Sequence, residues 1–158
     1  AIVAAAIGGW LWLIVEVEGL SSGNIALREF FLGTIAMAAL WGAWLIVARL
    51  LLVRVFGRSV EPGSFFRAMA FATLPLAGQV LMFVPPIAFG VGLVTLMAWF
   101  AMSVAAVEAV APAASRKEIV VANAVGFSVL AIGLSILADA AAIAPGIFVQ
   151  GANLGHLL

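Results

Sequence analysis

One imidazole, His156, and seven carboxylates are the residues of this 158-residue chain best suited to acid–base or metal chemistry. Cys and Tyr are absent, and Lys117 is the single lysine. Thiolate, disulfide and tyrosyl chemistry are therefore excluded for these residues. His156 lies in the glycine-broken segment 151–158. Such a residue could be an axial ligand to a haem or chlorin metal, or a proton carrier. An imidazole with no ligating partner nearby in sequence reads first as an exposed or interfacial residue of a tail. No catalytic residue set and no metal site is expected.

The carboxylates Glu16, Glu18, Glu29, Glu61, Glu108, Glu118 and Asp139 all fall at the ends of apolar runs or between them. Proton-coupled transport places ionisable groups inside the bundle, where the coupled charge must cross. Here the centres of the apolar runs carry no charge. Glu108 is the carboxylate best placed for partial burial, with Arg116 and Lys117 close by in sequence.

Uncharged polar residues within the runs are Thr34, Thr73, Gln79, Thr95, Ser103, Asn123, Ser128 and Ser135. In lipid such groups bond across helices or back to their own backbone. Gln79 and Asn123 are the strongest of the set, reading either as the lining of a polar cavity or as interhelical contacts. Pro75 removes the backbone donor that would reach the carbonyl of Phe71, so a kink is expected there. Thr73 and Gln79 are near enough to help satisfy the freed group. Trp41 and Trp44, about one turn apart, make an aromatic face that would meet a partner helix, a carotenoid or, as the ordinary case, tail lipid.

The elements that must position these residues are helices that cross a membrane. Hydrophobic residues are 66% of the chain and charged residues 9%, against about 25% charged in a soluble domain. That leaves too little polar surface for a water-facing globule. Seven basic and seven acidic side chains give a formal net charge of zero, so no cationic field exists for nucleic acid. Membrane β-barrels alternate polar and apolar residues, and this chain does not.

A crossing helix needs about 20 apolar residues for about 30 Å of hydrocarbon. Five segments approach this: about 1–15, 30–53, 66–84, 87–107 and 119–138. The first would reach only about 22 Å, so further residues upstream of Ala1 are expected. Pro85 and Pro86 end the third span and make a tight hairpin with the fourth. Residues 140–158, broken by Pro145, Gly146, Gly151 and Gly155, read as an interfacial or loosely re-entrant tail. The expectation is one transmembrane domain over 1–158, an all-α polytopic bundle of five spans. Arg49, Arg54, Arg58, Arg67, Arg116 and Lys117 gather on one side and Arg28 alone on the other. By the positive-inside rule the N-terminus is inside and the C-terminus outside.

The connection between the second and third spans carries more than composition does. Gly63-Ser64-Phe65, with Arg67 beside it, leads into Phe71-Ala72-Thr73-Leu74-Pro75. This stretch resembles the bacterial branch of the Yip family, the Ypt/Rab-interacting membrane proteins. A Gly-Ser-Phe-like entry there precedes a Tyr-Ala-x-x-Pro element inside the third span. Here Phe71 stands where that element has Tyr. The five-span layout, the tight third-to-fourth hairpin and Trp99 in the fourth span are also similar, and the likeness covers about 30–138. It implies a noncatalytic membrane factor, since eukaryotic members bind prenylated small GTPases and shape transport vesicles. It supplies no catalytic residues.

The expected function is a noncatalytic integral membrane scaffold or interaction protein. Its partners would be membrane lipids and other transmembrane proteins, not nucleic acid, in a bacterial inner (cytoplasmic) membrane. The alternative is an accessory subunit of a large respiratory or photosynthetic complex. No cofactor is expected, but lipid, carotenoid or chlorin contact would follow in such an assembly. A small-molecule transporter component ranks third, because the run centres are uncharged and no internal repeat is visible.

Overall fold

The computed structural model describes residues 31–141, and it is helical throughout, with no strand among the described residues. Its helices are α1 (Gly33–Leu50), α2 (Pro62–Ala72), α3 (Pro85–Val110) and α4 (Arg116–Ala141). A short π-helix, Leu51–Val55, continues α1, and a 3-10 helix, Leu74–Phe83, follows α2. Four segments are long and apolar enough to cross a membrane: Gly33–Val55, Pro62–Met82, Pro86–Val110 and Arg116–Leu137. They correspond to the second through fifth expected spans. The expected first span at 1–15, with Trp10 and Trp12, lies outside the described residues, as does His156 in the tail.

Each boundary has a local cause. Gly57, at φ +65°, takes the left-handed conformation that stops the helix, where a Cβ would be strained. Around it the Arg58 N–H donates to the Leu52 carbonyl at 2.8 Å and the Phe56 N–H to the Leu51 carbonyl at 3.0 Å. These wide loops carry the π register to the end. The third span begins at Pro62, four residues before position 66. Proline suits the first helical position because its missing donor is not needed there. Glu61, in extended backbone, caps the helix by accepting from the N–H groups of Gly63 and Ser64.

Pro75 does more than kink its span. The α-helix stops at Ala72, and the Leu76 N–H donates to the Thr73 carbonyl at 3.0 Å, opening a 3-10 helix of ten residues. The Thr73 hydroxyl donates to the carbonyl of Ala70 at 2.7 Å. A 3-10 helix rises about 2.0 Å per residue and an α-helix about 1.5 Å. The mixed span is thus about 36 Å long and still crosses. At Val84 the backbone is extended, as a residue before proline must be. Pro85 and Pro86 then open α3, giving the expected hairpin. The helix α4 itself continues through Ala141, while its spanning stretch is Arg116–Leu137.

The helices associate as two pairs. α1 lies along α4, and α2 with its 3-10 continuation lies along α3; α3 also touches α4. Leu40 faces Gly133 and Trp44 faces Gly126, so α1 and α4 run antiparallel. Between 28% and 39% of each span is buried inside the bundle. The outward faces carry Ile35, Ile46, Phe71, Phe89, Val94, Met97, Ile132 and Ile136. Apolar side chains on both inner and outer faces are a distribution that water would not support but hydrocarbon does. The chain is an integral membrane protein.

Candidate functional site

Two regions gather the residues with functional potential: an aromatic centre, and the end of the bundle where α1 finishes, α2 starts, α3 finishes and α4 starts.

At the centre, Trp44 of α1 is fully buried. Its ring meets Trp99 of α3 edge-on at 4.9 Å and Phe127 of α4 at 5.3 Å. Phe127 in turn meets Phe100 at 5.6 Å. Edge-to-face contact places the positive rim of one ring against the negative face of another. Gly126 makes room: a Cβ there would lie 2.1 Å from Trp44 Cδ1 and 2.8 Å from the Trp44 carbonyl oxygen. The Trp44 side chain therefore holds three helices together. Of the contacts named for this aromatic face, Trp44 meets helices of its own bundle, and being fully buried it is not the lipid-facing ordinary case. Trp41 is half-buried against the same core.

The polar residues inside the spans turn back on their own helices. The Thr95 hydroxyl donates to the Val91 and Gly92 carbonyls at 2.8 and 2.9 Å. Ser103 donates to Trp99 at 2.8 Å, and Ser128 to Ala124 at 2.8 Å. Asn123, fully buried, donates from Nδ2 to the Ile119 carbonyl at 3.0 Å. Its Oδ1 has no partner among the described residues, nor do the indole N–H groups of Trp41, Trp44 and Trp99. Gln79 is buried on the 3-10 helix and makes no side-chain hydrogen bond to another described residue. Pro75 is half-buried at the start of that helix. Trp44, Trp99 and Phe127 are brought together.

The charged end is built from hydrogen bonds over long sequence separations. Arg58 donates to both oxygens of Glu118, from Nε at 3.1 Å and from an Nη at 2.8 Å. This two-point pairing is the strong geometry for arginine and carboxylate. Glu118 also accepts the Ser115 N–H at 2.8 Å, while Ser115 Oγ accepts the Glu118 N–H at 3.3 Å. That reciprocal pair is a capping box, and Ser115-x-x-Glu118 is its sequence signature. Arg49 lies where its stem could snorkel to the headgroups, but the structure gives it a protein partner, the Val60 carbonyl at 3.3 Å. Glu108 pairs with Arg116 at 3.4 Å, one of the two neighbours expected for it.

Electrostatics at this end follow from these bonds. The Ser64 hydroxyl, and after it the Ser64 and Gly63 N–H groups, hold the Glu61 carboxyl at about 2, below its usual 4.5. Hydrogen bonding and charge from Glu118 raise the Arg58 guanidinium further above its usual range. Among the described residues no group of three or more His, Asp or Glu is placed to hold a metal ion.

No family model, no curated protein and no solved structure matches this chain.

Proposed function

We propose that the protein is a noncatalytic integral membrane scaffold or interaction protein, similar to the Yip family. The observation that carries this reading is the filled centre. Trp44, Trp99 and Phe127 interlock over Gly126 and fill the space between α1, α3 and α4. At one end, Glu61, Glu108 and Glu118 are held in caps and ion pairs. What such a molecule offers a partner is its outward apolar faces and its charged loops. The Phe71-to-Pro75 element then acts in folding, as the point where α-helix becomes 3-10 helix, rather than as a reacting site.

In this reading the charged end faces the cytoplasm of a bacterial inner membrane and a further span precedes α1. Extraction in mild detergent, with identification of co-migrating polypeptides, tests the proposal. A small assembly of fixed stoichiometry with another transmembrane protein and no chromophore is expected. Migration within a large pigment- or quinone-bearing complex would establish the accessory-subunit alternative instead. Solute flux through the purified protein in vesicles would overturn both. Reporter fusions in the loop 56–61 check the orientation, and an external location would reverse it.

A further inference from the structure

We propose that the charged end of the bundle is a contact site for anionic phospholipid headgroups, formed by Arg54, Arg67 and Lys117. The inference rests on the chain spanning a membrane and not on its being a scaffold. Six cations and three carboxylates lie at this end of the described residues: Arg49, Arg54, Arg58, Arg67, Arg116 and Lys117 against Glu61, Glu108 and Glu118. Every carboxylate is already engaged. Glu61 caps α2, Glu118 holds Arg58 and the Ser115 N–H, and Glu108 holds Arg116. Arg49 is taken by a backbone carbonyl.

That leaves Arg54, Arg67 and Lys117 exposed and, among the described residues, in no direct ion pair, although Arg67 lies near enough to Glu61 to help hold its carboxyl below the usual range. The hydrogen bond of Arg67 goes to the Ser64 hydroxyl, at 3.3 Å. The helix N-termini do not compete for phosphate here, because Glu61 and the Ser115–Glu118 pair already cap them.

What points to a lipid, rather than an acidic protein segment, is the surface next to each cation. Residues three or four apart share a helix face. Arg67 therefore shares a face with exposed Phe71, Lys117 with exposed Val120 and Val121, and Arg54 with exposed Leu50. Each cation thus tops a strip of apolar side chain, matching a phosphate above an acyl chain. Cations at the membrane surface attract anionic lipid electrostatically.

The intact protein in bilayers of phosphatidylcholine, with spin-labelled phosphatidylglycerol or phosphatidylcholine as probe, tests this. Electron paramagnetic resonance then gives the relative association of the two lipids. A preference for phosphatidylglycerol of about fivefold is expected, weakening with salt. The triple variant Arg54→Gln/Arg67→Gln/Lys117→Gln should bring it close to one. Arg58→Gln, which removes a cation already paired with Glu118, should leave it unchanged. The three substituted side chains are exposed, and circular dichroism confirms that the triple variant is folded. Absence of a preference, or its survival in the triple variant, overturns the proposal and assigns these cations to topology or to an acidic protein segment. Either result leaves the scaffold reading to its co-migration test.

Discussion

The two ends of the Arg58 connection contrast sharply with the centre of the bundle. At the charged end, side chains bridge segments 60 residues apart in sequence, with Arg58 clasping Glu118 through two hydrogen bonds. At the centre, the polar side chains bond to carbonyls of their own helix, three or four residues back, and shape alone joins the helices. The difference follows from the surroundings. Near water, charged partners can be exchanged and desolvation is modest, so directional pairing can set how loops meet helices. In hydrocarbon no hydrophobic force separates helix from lipid, so close packing and small residues must do the joining. Specificity of assembly is thus polar at the rim and steric in the middle.

The strongest way to break that contrast is to remove the steric part. Trp44→Ala deletes a fully buried ring that touches α3 and α4. The expected loss lies toward the lower end of the about 3–5 kcal/mol typical of Trp→Ala in cores. It lies low because lipid, not water, surrounds the helices. Reversible unfolding in mixed micelles measures it. A loss below about 1 kcal/mol would mean the centre does not hold the bundle.

Next in size is the pair Gly126→Ala and Gly133→Ala. At Gly126 the new methyl would meet the Trp44 backbone oxygen at 2.8 Å, which no rotamer change can relieve. At Gly133 it meets the Leu40 side chain, with Cδ2 at 2.6 Å, and those methyls can turn aside. Gly126→Ala should cost about 1–3 kcal/mol, and Gly133→Ala about 1 kcal/mol or less. Equal costs would show that the helices shift as a body rather than at the Trp44 contact.

These residues also mark how far the sequence could be read. The four described spans follow directly from apolar runs, prolines and charges. The start of α2 lies earlier than its apolar run, because Glu61 and Pro62 look like loop residues until one supplies the cap and the other the first helical position. The Ser115-x-x-Glu118 capping box is legible from its spacing alone. The Arg58–Glu118 pair was not legible, since it depends on the antiparallel register of α1 against α4. Nor was the inward direction of Trp44. In a span apolar on every side, no periodic pattern separates the bundle face from the lipid face. Gly126 does stand four residues after Ala122, a small-residue spacing, but nothing in the sequence names Trp44 as its partner.

The rim gives a smaller effect with a defined pH window. Glu61 titrates near 2 in the folded protein against about 4.5 ordinarily. A carboxyl depressed on folding contributes stability that is fully present above its unfolded value and is lost as pH falls through the folded one. Stability should therefore decline between about pH 4.5 and pH 2. Glu61→Gln should flatten this part of the profile, while lowering stability near neutral pH. An unchanged acid limb in the variant would show that other carboxylates set it.

The smallest expected effect is the sharpest test of the centre. Asn123 is fully buried, yet its Oδ1 has no partner among the described residues, and its Nδ2 bonds a carbonyl of its own helix. An unsatisfied buried acceptor costs about 1–3 kcal/mol, and an apolar replacement of similar shape removes that cost. Asn123→Leu should therefore leave stability unchanged or raise it by up to about 1 kcal/mol. Asn123→Ala should lower it, through the space left behind. If Asn123→Leu instead destabilises the protein by more than about 1 kcal/mol, then the Oδ1 has a partner in the native membrane. The centre would then be joined by polar contact as well as by shape, and the contrast between rim and middle would fail at Asn123.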